Sequence, residues 1–523
     1  MSQWLEDAIF YEIYPQSFYD SNGDGIGDIP GITAKLDYIR ELGCNALWLN
    51  PCFLSPFGDA GYDVADYCLV APRYGTNDDL IELFRAAHAK GMHVLLDLVP
   101  GHTSVEHRWF KESCKAEKNP YSGRYIWTNA VWDDVARYEG IAGSLRGISE
   151  RDGSVAVNFF SMQPALNYGF ATVTEPWQCA VDSPEALATR QAMKDVMAFW
   201  LDRGCDGFRV DMAGSLVKND PGNEQTIRLW QDMRAYLDEH YPDAVMVSEW
   251  GEADKSLRAG FHMDFLLHFG PSHYMDLFRC EHPYFSREGK GDIHAFVKAY
   301  RKNYELTSGK GLICPVSGNH DMQRMRKYLD PEEMKIAFAF LLSMPGAPFI
   351  YYGDEIGMRQ LDLPSKEGGY ERTGARTPMQ WDGSGNAGFS TAEAGKLYLP
   401  QDPAADAPDA AAQQAQEGSL WREVQKLNQV RHATPALQAH GGIEFVYCQE
   451  DEYPLAYLRT AGSQRVLVIV NPAARETKFL YDGKLGKALY TLNGAPSQAH
   501  GIVTVPGAGA VLGEGEYAPP PFR

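Results

Sequence analysis

Three carboxylic acids that could share one reaction follow three separate apolar segments of the sequence. Asp211 lies in GFRVDM, Glu249 in VMVSEWG and Asp321 in PVSGNHD. Each apolar run has strand character, so we expect the acids to leave their strands at one rim of an α/β barrel, where such folds build active sites. Cleavage of a glycosidic bond needs one acid to protonate the leaving oxygen and a second carboxylate to face the oxocarbenium-like carbon.

Two acids can divide this labour only if their surroundings separate their pKa values. Arg209 precedes Asp211 by two residues and projects to the same face of the strand, where its charge would keep Asp211 ionised. A single acid at a strand end is usually a solvated loop residue or a helix cap. The hypothesis therefore rests on the combination of these groups.

Five motifs of the chain form an ordered set: DLVPGHTS, MQPALN, GFRVDM, SEWG and SGNHD. Their order and spacing resemble the conserved regions of glycoside hydrolase family 13, the α-amylase family, and the similarity runs from YEIYPQSF to a C-terminal β-domain. The resemblance implies that Asp211 is the nucleophile, Glu249 the general acid/base and Asp321 a third acid that grips sugar hydroxyls. It also implies that His102 and His320 are a pair of sugar-hydroxyl donors.

A family member of this kind retains anomeric configuration, with the two working carboxyl groups about 5 to 5.5 Å apart. The segments SPFGDAGYDVADY and GARTPMQWD further resemble the branch of oligo-1,6-glucosidases, α-glucosidases and trehalose synthases. In that branch an Asp pairs with an Arg beside a stacking Tyr and closes the far end of the glucose subsite. The matching residues here are Asp59, Arg376 and Tyr62, and Gln163 is expected in the cleft wall. A closed end would block a polymer and favour exo-action.

Several positions depart from the family pattern. Gly101 replaces an Asn that is a calcium ligand in many α-amylases, which predicts that their interdomain calcium site is missing, and Ala165 replaces an Asp. Met212 matches neither the Val of α-1,6-preferring members nor the small residue of α-1,4-preferring ones. Trp250 matches none of the three branches. The sequence therefore leaves linkage preference open.

The sequence is compatible with three functions. The first is a retaining α-glucosidase that releases glucose from the non-reducing end of short α-gluco-oligosaccharides, with transglucosylation when an acceptor sugar outcompetes water. The second is a trehalose synthase-type isomerase or transglucosylase, or an endo-acting α-amylase. The third is a non-catalytic subunit like the heavy chains of amino-acid transporters, but those have lost the catalytic carboxylates that this sequence keeps.

A separate acidic cluster occurs in DSNGDGIGD. Alternating oxygen side chains on a glycine-rich loop suit a hard cation such as Ca²⁺, although Gly31 at position twelve excludes an EF-hand. The resemblance to oligo-1,6-glucosidases implies structural Ca²⁺ or Mg²⁺, and it implies no organic cofactor. The implied metal ligands are the side chains of Asp20, Asn22, Asp24 and Asp28 and the carbonyl of Ile26. The alternative is a loop of Asx turns without metal.

Alternating strand and helix patterns predict an α/β fold, a (β/α)8 TIM barrel. The expected barrel strands are 9–18, 45–51, 93–99, 207–212, 244–250, 263–269, 312–318 and 347–354. The barrel would comprise residues 1–102 and 173–435, with a small domain inserted after strand three at 103–172. Residues 436–523 would form a C-terminal antiparallel β-sandwich domain.

Composition excludes several classes of partner. The net charge of −21 over 523 residues argues against nucleic acid and anionic membranes. No apolar run approaches the roughly 20 residues of a membrane span, and the N-terminus lacks a signal-peptide pattern. Nine cysteines without a CxxC pair fit reduced thiols. We therefore expect a cytoplasmic enzyme whose partner is a small oligosaccharide, of undetermined oligomeric state.

Overall fold

The computed structural model describes residues 2–133, 135–267 and 272–516. Numbered in chain order, the strands are β1 (Phe10–Ile13), β2 (Ala46–Leu49), β3 (Phe53–Leu54), β4 (Asp66–Val70), β5 (His93–Leu98), β6 (Gly143–Leu145), β7 (Val155–Val157), β8 (Gly207–Val210), β9 (Val245–Ser248), β10 (Met263–Phe265), β11 (Leu312–Cys314), β12 (Phe349–Tyr351), β13 (Gly442–Tyr447), β14 (Leu455–Ala461), β15 (Gln464–Asn471), β16 (Thr477–Leu480), β17 (Lys484–Leu492), β18 (Ser497–Ala499), β19 (Ile502–Val505) and β20 (Gly509–Glu516).

The α-helices, numbered in the same way, are α1 (Ile29–Ala34), α2 (Leu36–Leu42), α3 (Asn77–Ala89), α4 (Arg108–Ser113), α5 (Pro184–Leu201), α6 (Glu224–His240), α7 (Ala253–Arg258), α8 (Met275–Phe278), α9 (His294–Thr307), α10 (Pro331–Leu341), α11 (Ala410–Ala415) and α12 (Leu420–Ala433). Local sequence fixes several of their starts. Thr76 and Asp79, for example, form a capping box that begins α3. None of the described helices is both long and apolar enough to cross a bilayer.

Eight parallel strands form the barrel in the order β11-β10-β9-β8-β5-β2-β1-β12. The ends of this sheet meet where Val316 pairs in parallel with Phe349, whose amide donates to the carbonyl of Pro315 at 2.9 Å. All eight predicted strands are present, each shorter than expected. Part of the expected sixth strand, 263–269, lies outside the described residues. The predicted TIM barrel is confirmed.

The barrel strands are apolar because both of their faces are covered. Every residue of β1, β2, β8 and β9 is buried, as parallel strands are when helices pack outside and side chains fill the interior. Polar residues inside this interior therefore need partners of their own. The same strands carry the site residues at their carboxyl ends.

Between β5 and α5 the chain builds a small layer over that end of the barrel. Its strands β6 and β7 pair antiparallel, and His102 forms a bridge with Ala165 that ties the layer to the end of β5. Its own apolar core comprises Ile126, Val135, Tyr138, Ile141, Ala156, Ala165 and Phe170. This layer forms one wall of the cleft described below.

The C-terminal part of the described chain is antiparallel. One sheet has the order β13-β14-β15-β20-β17 and a second has the order β16-β19-β18. Leu458, Leu467 and Ile469 of the first sheet pack with Phe479, Val503 and Val505 of the second in one buried cluster. The two sheets therefore form the expected β-sandwich.

Candidate active site

The three predicted acids line one cavity of about 590 Å³ at the carboxyl ends of the barrel strands. Asp211 directly follows β8, Glu249 directly follows β9, and Asp321 lies in the loop after β11. Parallel strands end at the same rim, which explains why residues far apart in sequence meet here. The cavity has the size of an ordinary small-ligand pocket.

A single buried guanidinium lies at the centre of the site. Nη1 of Arg209 is 2.9 Å from Oδ1 of Asp211 and 3.0 Å from Oδ1 of Asp97, and Nη2 is 3.0 Å from Oε2 of Glu249. Arg209 is only 1% exposed. One cation thus faces three carboxylates away from water, and burying the surplus negative charge is costly. At least one of the three acids should therefore hold a proton.

The pKa values indicate which acid holds it. Burial, opposed by Arg209 and assisted by Asp211 and Asp321, raises the pKa of Glu249 to about 8. Burial also raises the pKa of Asp211, to about 7, although the ion pair with Arg209 acts to lower it. Glu249 therefore keeps its proton to the highest pH, as a general acid at neutral pH requires.

Asp321 has the opposite character. Although burial acts to raise its pKa, the guanidinium groups of Arg372 and Arg376 lower it well below its usual range. Nη1 of Arg372 is 2.6 Å and Nη2 of Arg376 is 2.9 Å from the same oxygen, Oδ1. Asp321 is therefore a fixed anion that can accept hydrogen bonds from sugar hydroxyls.

Met212, directly after Asp211, has a strained backbone that positions the carboxyl group of Glu249. Met212 has φ of 44° and ψ of 43°, in the left-handed region that side chains other than glycine seldom adopt. In this conformation its amide donates to Oε2 of Glu249 at 3.1 Å. The turn therefore fixes the carboxyl group of Glu249 next to that of Asp211.

The two predicted histidines are buried beside the cavity. Burial lowers the pKa of His102 to about 3 and that of His320 well below its usual range, so both rings are neutral. Nε2 of His320 lies 2.7 Å from the hydroxyl of Tyr62, whose ring stacks on the imidazole at a centroid distance of 5.2 Å. Tyr62 also lines the cavity, where its ring can face a sugar.

One predicted contact is not formed. Arg376 does not pair directly with Asp59, because Asp321 offers it a closer carboxylate and the carbonyl of His320 accepts from its Nε at 2.8 Å. Asp59 instead accepts from Nε2 of Gln163 at 2.7 Å. Asp59 and Asp321 nevertheless line the same cavity. Burial raises the pKa of Asp59 to about 7, although Gln163 and Arg376 act to lower it.

Several charged residues of this site were not predicted from the sequence, and two of them form ion pairs with predicted site residues. Arg372 lies just before Arg376 in ERTGAR, and its distance from Asp321 depends on the fold of the loop. Asp97 is a carboxylate inside the apolar strand HVLLDL, where it accepts from Trp48 Nε1 at 3.1 Å and pairs with Arg209. A charge within such an apolar run is itself a signal, because a buried charge needs a partner.

The acidic loop near the N-terminus is folded as a series of turns. Asp20 accepts from the amides of Asn22, Gly23 and Gly25, and Asp28 caps α1 by accepting from the amide of Gly31 at 2.6 Å. The side chains of Asn22 and Asp24 accept from the amides of Asp24 and Ile26. The oxygen donors suit Ca²⁺ chemically. Within residues 2–133, 135–267 and 272–516, however, no three His, Cys, Asp or Glu side chains converge as metal ligands.

Comparison with known proteins agrees with this geometry. Residues 12–440 match the catalytic domain of alpha-amylase. The chain belongs to the α-amylase family. As the motifs predicted, it is a glycoside hydrolase of this family. It is 33% identical to the trehalose synthase/amylase TreS of Mycolicibacterium smegmatis over 76% of this chain and 70% of that protein.

Two further relatives cover more of the chain. It is 32% identical to an oligo-1,6-glucosidase of Parageobacillus thermoglucosidasius over 90% of each protein, and 31% identical to a glucan 1,6-alpha-glucosidase of Streptococcus pneumoniae over 93% of this chain and 95% of that one. The trehalulose synthase MutB of Pseudomonas mesoacidophila has a similar structure, with a TM-score of 0.81 and 25% identity over 99% of this chain and 100% of MutB. MutB variants have been crystallised with isomaltulose, glucose and sucrose.

Proposed function

We propose that this enzyme is a retaining α-glucosidase that removes one glucose at a time from the non-reducing end of short α-gluco-oligosaccharides. The observation that carries the proposal is a junction of two loops at the cavity, which we infer closes one end of it. Asp59 and Arg372, from these two loops, line the same cavity as Asp211 and Glu249. A glucose ring bound against the closed end would place its anomeric carbon at these two acids.

Two loops make the closed end. A Cβ atom added to Gly368 would lie 3.1 Å from Oδ1 of Asp59 and 3.3 Å from the carbonyl of Gly58, so the two backbones are in contact. Glu367, next to Gly368, pairs with Arg73 at 2.9 Å and fastens the same junction. A polymer would need these loops to separate before it could pass. The terminal hydroxyls of a single glucose would instead meet charged hydrogen-bonding groups.

The proposed reaction has two steps. Asp211 attacks the anomeric carbon while Glu249 gives its proton to the leaving oxygen, which forms a glucosyl ester and a free sugar. Glu249, now ionised, takes a proton from water as the water oxygen attacks the ester, which releases glucose and restores both acids. If a second sugar replaces water, the same step gives a new glycosidic bond.

The leaving-group side of the cavity has a different lining. Met212 and Trp250 give it an apolar wall, and Glu139, Asn223 and Glu252 give it polar groups. The indole of Trp250 lies against Gly214, where an added Cβ would be 2.6 Å from its Nε1. Trp250 also lines the cavity, where we expect its indole to contact the sugar leaving group.

A trehalose synthase-type isomerase is the second candidate. It is favoured by the 33% identity to TreS and by the structural likeness to MutB. An isomerase would use the same glucosyl ester, but it would retain the leaving sugar and return it to the ester at another hydroxyl. The fate of the leaving sugar therefore separates the two functions.

The first prediction concerns products. With maltose, isomaltose, trehalose and maltoheptaose as separate substrates, we expect free glucose and oligosaccharides shortened by one residue, resolved by chromatography over time. Trehalose as the main product from maltose would favour the isomerase and contradict our proposal. Early internal fragments from maltoheptaose would also contradict it, because they require an open cleft. The Asp211→Asn variant is the matched blank, since an amide does not attack the anomeric carbon.

The second prediction concerns pH. Because Glu249 must donate a proton and its pKa is raised to about 8, kcat/KM should fall as the pH rises through this value. Glu249→Gln should remove this alkaline limb with p-nitrophenyl α-glucoside, whose leaving group needs little protonation. Measurement of kcat/KM from pH 5 to pH 10 for both proteins tests the assignment. An alkaline limb that persists in Glu249→Gln would assign it to another group.

The third prediction concerns the metal loop. We propose that Ca²⁺ binds there with a structural role, drawing Asp20, Asp24 and Asp28 together from the turns that now hold them. Protein treated with a chelator should gain thermal stability when Ca²⁺ is added, measured as Tm. Asp24→Ala should lose this gain, whereas Asp66→Ala, which alters an exposed acid of β4, should keep it. The same Tm with and without Ca²⁺ would contradict the proposal.

A further inference from the structure

A chain of buried polar groups leads from the barrel to His102. Nζ of Lys218 lies 2.8 Å from Oδ1 of Asn158 and 2.6 Å from the carbonyl oxygen of Ser215. The other end of the Asn158 amide, Nδ2, lies 3.1 Å from Nδ1 of His102. All three linked side chains are at least 96% buried, since Lys218 is 0%, His102 1% and Asn158 4% exposed.

The chemistry of lysine determines which groups donate and which accept in this series of hydrogen bonds. An ammonium group only donates hydrogen bonds, so a protonated Lys218 requires an oxygen at each of its two contacts. The amide of Asn158 must therefore turn its oxygen toward Lys218 and its NH₂ group toward His102. That NH₂ group also only donates, so Nδ1 of His102 must be the acceptor.

We propose that Lys218 and Asn158 are positioning residues that keep the proton of His102 on Nε2. His102 lines the cavity, and its Nε2 has no hydrogen-bond partner within the described chain. In this tautomer the ring presents an N–H donor to a hydroxyl oxygen of the bound glucose. This inference rests on the α-glucosidase proposed above, because it assigns the donor for that substrate.

The surroundings support a single, fixed arrangement. Burial lowers the pKa of His102 to about 3, so the ring is neutral and carries one N–H. The backbone of Lys218 is held on both sides, since its amide donates to the carbonyl of Gly169 at 3.1 Å and its carbonyl accepts from the amide of Ala171 at 2.9 Å. The side chains of Lys218, Asn158 and His102 therefore have little freedom to rotate.

Gly101 makes room for the Asn158 amide. A Cβ atom at position 101 would lie 2.7 Å from Nδ2 of Asn158, closer than such contacts occur in proteins. Any larger residue at this position would push Asn158 from His102. The family normally has Asn at the position of Gly101. Here the amide of Asn158 occupies the space that a side chain at position 101 would need.

Asn158→Asp tests the proposal with almost no change in shape. A carboxylate would still accept from Lys218, with a charge pair added, but it would have no proton for Nδ1 of His102. The ring would move its proton to Nδ1, and Nε2 would become an acceptor. We expect kcat/KM for p-nitrophenyl α-glucoside to fall by about tenfold to a hundredfold, the effect of one lost hydrogen bond in a buried site.

Two control experiments distinguish a loss of His102 positioning from a general disturbance of the structure. In a His102→Ala background, Asn158→Asp should cause little further loss, because the two residues act as one unit. Asn119→Asp places the same change elsewhere in the inserted layer, where the Asn side chain bonds only backbone carbonyls and an amide, and it should leave kcat/KM unchanged. An equal loss from Asn158→Asp with and without His102 would overturn the proposal.

Nitrogen-15 NMR of histidine-labelled enzyme without substrate gives an independent readout. We expect His102, identified from the spectrum of His102→Ala, to show the Nε2–H tautomer in the wild type and the Nδ1–H tautomer in Asn158→Asp. An Nδ1–H tautomer in the wild type, with its proton directed to the neighbouring carbonyl of Tyr62, would overturn the proposal. This spectrum needs no turnover, so it decides the tautomer even if the substrate proves not to be an α-glucoside.

Discussion

The active site depends on how one buried positive charge is shared. Arg209 contacts Asp97, Asp211 and Glu249 together, inside a barrel whose walls exclude water. Its attraction holds the two working acids at the same end of neighbouring strands, and its single charge is too small to keep all three acids ionised. The proton that remains is held best by Glu249. The proposed division between an attacking carboxylate and a donating acid thus follows from burial and charge balance.

A second cluster of charged side chains shapes another part of the cavity. Arg372 and Arg376 both bind one oxygen of Asp321, and the loop that carries Arg372 lies on the loop of Asp59. Together these contacts keep Asp321 ionised, and in the proposed function they close one end of the cavity. Trp250 and Met212 line the same cavity, and the proposed function places the leaving sugar beside them. Such an asymmetry would favour action on chain ends, and the balance between water and sugar beside Trp250 would determine whether bonds are hydrolysed or rearranged.

The sequence predicted the parts of this arrangement that local pattern encodes. Short apolar runs located all eight barrel strands, and the motifs around Asp211, Glu249 and Asp321 placed these acids in one cavity. Contacts made by loops could not be predicted in this way. Asp59 bonds Gln163 rather than Arg376, because the pairing depends on how two distant loops pack. Likewise, Lys218 and His102 are linked through Asn158 only after the inserted layer folds onto the barrel. The left-handed backbone of Met212 had no sequence signal, since its residue type does not favour that conformation.

The most direct test of this account is to trap the sugar on the enzyme. A 5-fluoro-α-glucosyl fluoride slows both steps but keeps a good leaving group, so the glucosyl ester should accumulate. Digestion and mass spectrometry should then find one fluoroglucosyl group on the peptide that contains Asp211, and Asp211→Asn should remain unlabelled. A label on another acid, or turnover without any covalent sugar, would contradict the arrangement of attacking and donating acids described here.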